Sequence, residues 1–206
     1  MSNLTPTNRQ ASPSIEDAQA FADLVMIAAP DAIPQLFGST GPDLLKSLFL
    51  EPTHAFSYDK VLFVRVENQI VGMVSGITWT QFQRERRRTN WLIMKHMKGC
   101  AWRYFFGMLQ FYLLGLRLGE CYQDEYYLQF VALYPQYQGY GLGYYLMHLG
   151  EQAGQQAKCH KLALDVDSKN KRAIKLYQNS GFHVSSKSPL KPRPEVGQVF
   201  RMVKNL

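Results

Sequence analysis

Cysteine is scarce: Cys100, Cys121 and Cys159 are the only three in 206 residues. An odd number with no regular spacing excludes a disulfide framework. The lack of any C-x-x-C pair argues against a structural zinc site. A reduced, cytoplasmic protein without a metal is the expectation. Acid is also short, with 16 Asp and Glu against 23 Lys and Arg, a formal net charge of +7. A basic balance suits an anionic partner, which covers a nucleotide-bearing cofactor, nucleic acid or a membrane surface. Long hydrophobic runs are missing too. The longest, Ala101 to Leu116, is broken by Arg103 and Gln110 and is shorter than the ~20 residues a bilayer-spanning helix needs. Met1 to Pro13 is polar, lacks the apolar core of a secretory signal, and reads as a disordered tail.

What is present is enough for a core. The chain is 46% hydrophobic and 19% charged, which excludes disorder by composition and favours one domain over 14–206. Ser14 stands three residues before Asp17, and Ala18, Phe21, Ala22 and Val25 follow at helical spacing, so a helix to about Ala28 is predicted. Pro30 and Pro34 interrupt the chain. A second helical region extends to about Leu50, broken at Gly38 to Pro42. Val61 to Val66 and Ile70 to Ile77 read as a hairpin around Glu67-Asn68-Gln69. Strands follow at Tyr126–Tyr134, Leu162–Val166 and Val199–Val203. Helices are predicted at Gly141–Ala157 and Asn170–Asn179, the latter capped by Gly181. A Pro-rich loop, Ser185 to Pro194, precedes the last strand. The order defines a mixed α/β (α+β) sheet flanked by helices.

The segment from Pro135 to Gly143 follows a strand and opens a helix. Gly139, Gly141 and Gly143 allow the backbone to approach a phosphate, and a helix N-terminus offers unpaired N–H groups. No Gly-Lys-Ser/Thr ends the loop, which excludes a Walker loop. The alternating glycines, late in the chain, do not match a dinucleotide fingerprint. A plain tight turn remains the alternative on this segment alone.

Gln138-x-x-Gly141-x-Gly143, preceded by Val131-Ala132-Leu133-Tyr134-Pro135, resembles the acetyl-CoA motif of the GNAT superfamily of N-acetyltransferases. Asn170-x-x-Ala173-x-x-Leu176-Tyr177-x-x-x-Gly181-Phe182 is similar to a second segment of that family, in the right order and at the right distance. The resemblance covers 126–183 well and 60–77 loosely. It implies a mostly antiparallel central sheet in which Tyr126–Leu133 and Leu162–Val166 splay apart to admit the pantetheine arm. It implies that the backbone of Leu133 contacts acetyl-CoA, that the N–H groups of Gln138, Gly139, Tyr140, Gly141, Leu142 and Gly143 hold the pyrophosphate, and that Asn170 orders that side of the site. Tyr177 falls at the family's general acid. The implied activity is direct transfer of an acetyl group to an amine through a tetrahedral intermediate. A non-catalytic acyl-CoA sensor on the same fold is the alternative.

Many members of that family use a glutamate on the strand before the Gly-rich turn, or a chain of water molecules, and the glutamate is missing here. Tyr127 and Gln129 occupy the candidate positions, and neither is a good base. Glu125 and Asp124 are the nearest carboxylates, with Glu125 the chosen candidate. Glu51 and His54 are further candidates from the acceptor side. Residues 79–120 form a helical insertion, basic at Arg84 to Arg88 and aromatic beyond, expected as two helices broken near Gly99-Cys100. Extra core, a dimer interface, a lid over the acceptor and membrane contact are its competing readings. The apolar circumference of 101–116 favours a homodimer or a roof over the acceptor pocket. Neither nucleic acid nor a membrane surface is the expected partner. The acceptor is an amine the sequence does not name.

Overall fold

The computed structural model describes residues 5–97, 102, 104–107, 109, 120–189 and 198–206. Seven strands form one sheet in the order β1-β2-β3-β4-β5-β7-β6. They are β1 (Thr7–Gln10), β2 (Val61–Val66), β3 (Gln69–Thr78), β4 (Glu125–Leu133), β5 (Lys161–Asp167), β6 (His183–Lys187) and β7 (Val199–Asn205). All neighbours are antiparallel except β4 and β5.

The helices are α1 (Ile15–Ala28), α2 (Ala32–Phe37), α3 (Gly41–Phe49), α4 (Trp79–Met97), α5 (Leu142–Gln156) and α6 (Lys171–Asn179). The Ser14 hydroxyl caps α1 by accepting the N–H of Asp17. A 3₁₀ turn at Gly38–Thr40 is the expected interruption between α2 and α3. Glu67 and Asn68 both take positive φ, 48° and 67°. This is the pairing that a tight turn needs to join right-twisted strands.

The sheet separates two cores. Phe21, Leu24, Leu45, Leu48, Phe49 and Leu92 join α1, α3 and α4 to the face that carries Phe63 and Met73. Leu142, Leu146, Met147 and Leu149 of α5 pack the other face against Leu128, Leu162 and Leu164.

Two expectations need correction. The tail over 1–13 is not wholly disordered. Thr7–Gln10 pairs with β2, and Arg9 holds the buried Asp17 carboxylate through two hydrogen bonds, 2.7 and 2.5 Å. The loop expected from Ser185 is strand β6 up to Lys187, paired with β7. Both are polar edge strands, so neither carries the apolar alternation that marks a half-buried strand.

In the insertion, the first expected helix is α4. The second lies mostly outside the described residues. Residues 102, 104–107 and 109 are helical, and Tyr104 stacks on Phe37 of α2 at 5.7 Å. Among the described residues no single helix is long and apolar enough to cross a membrane.

Candidate active site

The parallel pairing of β4 with β5 is brief. It covers Glu125↔Lys161, Tyr126↔Leu162 and Tyr127↔Ala163, and then the strands part. The expected splay is therefore present. A bulge at Gln129 helps turn β4 away, since Ser75 pairs with Phe130 while Gly76 pairs with Leu128. Beyond it the N–H of Tyr134 goes to Val71 O at 3.0 Å. Antiparallel alternation then turns the N–H of Leu133 towards the edge that β5 has left.

The Gly-rich turn stands beside this gap. Gly139 and Gly141 have φ of 94° and 82°, and Gly141 caps α5 in the left-handed conformation that favours glycine. A Cβ added at Gly141 would meet no atom within 4 Å, so open space lies over the turn. No acceptor among the described residues receives the N–H groups of Gly139 to Gly143. The expectation for Gln138 needs amendment. Its N–H donates to Pro135 O at 3.2 Å. Its side chain instead clamps the turn, donating to Leu133 O at 3.1 Å and accepting from Arg172 at 2.7 Å.

One cleft of about 2130 Å³ gathers Leu133, Gln138, Gly139, Gly141, Gly143, Asn170 and Tyr177. This is larger than the roughly 300–1,000 Å³ of a single ligand pocket, which leaves room for two substrates. Tyr140 and Leu142 do not line it. The Tyr140 side chain is exposed and that of Leu142 is in the core, so each can offer only its backbone. Asn170 uses its side-chain oxygen to cap α6, accepting the N–H of Ala173 at 3.0 Å. Tyr177 is buried against Phe182, and burial pushes its phenol up to about 12.

Arg172 was not legible as a site residue. It lies on the cleft wall with Lys169, just before α6, and Lys175, at spacings of three residues. That spacing is the one signal the sequence offered.

Glu125 does not lie in this cleft. Its carboxylate receives Arg201 at 2.5 Å and the N–H of Tyr122 at 3.0 Å. Arg201 also lies 3.5 Å from Asp165, which accepts the Tyr127 hydroxyl at 2.9 Å. The chosen candidate for the base is thus bound into an ionic network whose Tyr127 and Asp165 line the cleft, while Glu125 itself stays outside it. His54 is fully buried, donates to Leu48 O at 2.8 Å and accepts from Phe56 N. Burial holds its imidazole below the ordinary histidine range. Glu51 is a surface partner of Arg88 and Lys95. Cys121 reaches the cleft wall, but burial pushes its thiol up to about 12, so it is no thiolate nucleophile near neutrality. The described residues contain no cluster of three or more metal-ligating side chains.

The rest of the cleft is largely apolar. Phe56, Phe82, Ile93 and Phe130 line it, and Glu85 of α4 joins them. The Glu85 residue is 3% exposed, and one carboxylate oxygen has no hydrogen-bond partner.

A splayed parallel pair beside an open Gly-rich helix start defines a fold that accepts an extended, phosphate-bearing cofactor. The chain belongs to the acetyltransferase (GNAT) family, whose model matches residues 31–182. Solved structures agree on the fold. A protein described as an acetyltransferase superposes with a TM-score of 0.68 at 22% identity, covering 97% of this chain and 98% of its own. An N-acetyltransferase from Staphylococcus aureus Mu50 gives 0.64 at 21% identity, covering 96% and 99%. A chain of the NatC complex bound to Gag peptide and CoA gives 0.58 at 11%, covering 98% and 99%. No curated protein matches the chain. Family and fold together support acyl transfer as the general activity.

Proposed function

We propose that the protein is an N-acetyltransferase that moves an acetyl group from acetyl-CoA directly to an amine. The observation that carries this reading is the convergence of three features on one cleft. These are the splay after Tyr127↔Ala163, the free N–H groups of Gly139 to Gly143, and Tyr177 in the lining. A CoA-bound relative of this fold supports the choice of cofactor.

The cofactor supplies an activated acyl group. The chain supplies the rest. The turn N–H groups and the N-terminus of α5 hold the pyrophosphate. Arg172 adds a fixed charge beside them, itself anchored by Gln138. The N–H of Leu133 faces the splay and donates to the thioester carbonyl, where negative charge grows in the transition state. The Tyr177 phenol stays protonated throughout the neutral range and can donate to the departing sulfur.

A protonated alkylamine with a pKa near 10.4 must lose a proton to react, at a cost of about 4–5 kcal/mol at pH 7. Acceptor activation is therefore a separate task. Incubation with acetyl-CoA and a panel of primary amines tests the reading. Free thiol release with a matching acetylated product supports it. Calorimetric binding of acetyl-CoA without any acetylated product would favour the sensor alternative.

A further inference from the structure

The strand glutamate is missing, and the inserted helix carries a buried carboxylate in the same cleft. We propose that Glu85 of α4 receives the ammonium of an acceptor whose body is apolar, and takes its proton before attack. The inference rests on the transferase reading above and names the acceptor class for the same site.

Glu85 is buried on an otherwise polar stretch of α4 that runs from Arg84 to Arg88. One of its oxygens accepts from Lys60 at 3.3 Å and from Arg84 at 3.1 Å. The other accepts from nothing. Lys60 is shared, because Asp59 holds it at 2.6 Å. Arg84 is largely exposed, so water screens it. Asp59 is exposed as well, so the buried part of the cluster is Glu85 against the Lys60 ammonium, with one Glu85 oxygen left over. Arg86 also reaches the cleft wall but is exposed. A buried carboxylate oxygen without a donor is costly, and an incoming ammonium meets that need.

The placement fits the chemistry. Lys60 immediately precedes Val61, which pairs with Ser75, and Ser75 pairs with Phe130 beside the Gln129 bulge. The Lys60–Glu85 pair thus stands level with the point where β4 leaves β5, two strand spacings or about 10 Å across the sheet. The Gln129 side-chain oxygen is also buried and unpartnered, and it lines the same cleft. Phe56, Phe82, Ile93 and Phe130 form the surrounding wall. They suit an apolar or aromatic body and offer nothing to a second charge.

The step balances within these groups. A proton passes from the ammonium to the Glu85 carboxylate. The freed nitrogen pair forms the C–N bond at the acetyl carbon, the C–S bond breaks, and the sulfur takes a proton from Tyr177. The second proton on the nitrogen, shed as the amide forms, passes through water to the Tyr177 phenolate, and release of the Glu85 proton to water restores the chain.

The test is calorimetric binding of 2-phenylethylamine to the full chain with CoA present, for wild type and Glu85→Gln. Loss of one charge-assisted contact predicts an affinity lower by at least about tenfold, with acetyl-CoA affinity unchanged. Equal amine affinity in a folded variant overturns the proposal. Should Glu85→Gln fail to fold, wild type is compared with 2-phenylethanol, the neutral isostere. At least tenfold weaker binding of the alcohol supports an anionic receptor, and equal binding overturns it. Failure of wild type to bind the amine overturns the acceptor class. Turnover separates the two readings. Glu85-dependent amine binding without acetyl transfer overturns the transferase reading alone. Transfer to amines that Glu85→Gln leaves unchanged overturns this inference alone.

Discussion

Arg201 of β7 reaches past β5 to clasp Glu125 of β4 at 2.5 Å, with both side chains almost out of contact with water. The pair ties together, at their paired end, the two strands flanking β5. It stands where β4 and β5 are still joined, before they separate at Tyr127↔Ala163. Glu125 thus helps fix the root of the splay.

Glu125→Ala tests that assignment. The change leaves the guanidinium with Asp165 at 3.5 Å and the Glu120 carbonyl, so a loss of about 1–3 kcal/mol of folding stability is expected. Activity per folded molecule should stay near wild type, measured below the variant's unfolding transition. A large fall in kcat without a loss in denaturant midpoint would return Glu125 to the role of base.

Gly141→Glu should abolish acetyl-CoA binding. The side chain would enter the open space over the turn and bring a negative charge to the phosphate position. Gly141 sits at φ 82°, so any side chain also costs about 1–2 kcal/mol of backbone strain. Gly141→Ala carries that strain without the charge and serves as the control. Calorimetry on both variants separates the effects. Full binding by folded Gly141→Glu would remove the phosphate site from this turn.

The turn conformation was legible in the sequence, because glycines declare local backbone geometry. Gly139 and Gly141 take the positive φ that a Gly-rich turn suggests, whereas the capping bond of Asn170 was not foreseen. Tyr177 was placed by its frame of neighbours, and the structure puts it in the cleft lining. Glu125 was misplaced for a physical reason. It begins a strand whose side chains alternate between faces, and its partner Arg201 lies 76 residues later. No local pattern reports such a pairing. Glu85 was hidden for a similar reason. It reads as one acid in a basic surface run, and only packing against Lys60 shows that it turns inward. The edge strands β1 and β6 were missed because polar edges lack the period that signals burial.

Arg172→Ala should weaken acetyl-CoA binding by roughly tenfold, the order expected for one charge-assisted contact. It also releases the Gln138 side chain that caps Leu133. Binding should become less sensitive to salt, because an exposed charge is screened by ions. Titrations at low and moderate ionic strength check both effects. An unchanged salt dependence would confine Arg172 to holding Gln138.

Stability should fall in acid through Asp17. Burial alone would raise its carboxyl, but hydrogen bonds from Arg9 and from the Ser12 N–H and hydroxyl more than offset this and hold it below the usual range. A depressed folded value means the unfolded chain binds the proton more tightly. The stabilisation is present above the unfolded value of about 3.9 and is lost as pH falls through the folded value. Asp17→Asn should lower stability at pH 7 by about 1–3 kcal/mol and flatten its pH dependence below pH 4. Denaturant midpoints for both proteins between pH 2 and 7 provide the check. Parallel curves would mean that β1 is held without this pair.

Tyr177→Phe isolates the one hydroxyl assigned to the leaving group. The ring packs against Phe182 in the core, and phenylalanine keeps that packing, so stability should change little. Acetyl-CoA affinity should also hold, since the turn N–H groups that grip the phosphates are untouched. What is lost is the O–H. A general acid contributes about 10²–10⁴-fold, so kcat should fall by at least about a hundredfold. Burial keeps the wild-type phenol protonated up to about pH 12, so no basic limb below about pH 11 should arise from its ionisation. Single-turnover rates across pH 6–10, with calorimetric binding of acetyl-CoA alongside, measure the two halves separately. A fall in affinity matching the fall in rate would make Tyr177 a wall of the cofactor site. An unchanged rate would leave it a packing residue, and the departing sulfur would then take its proton from water.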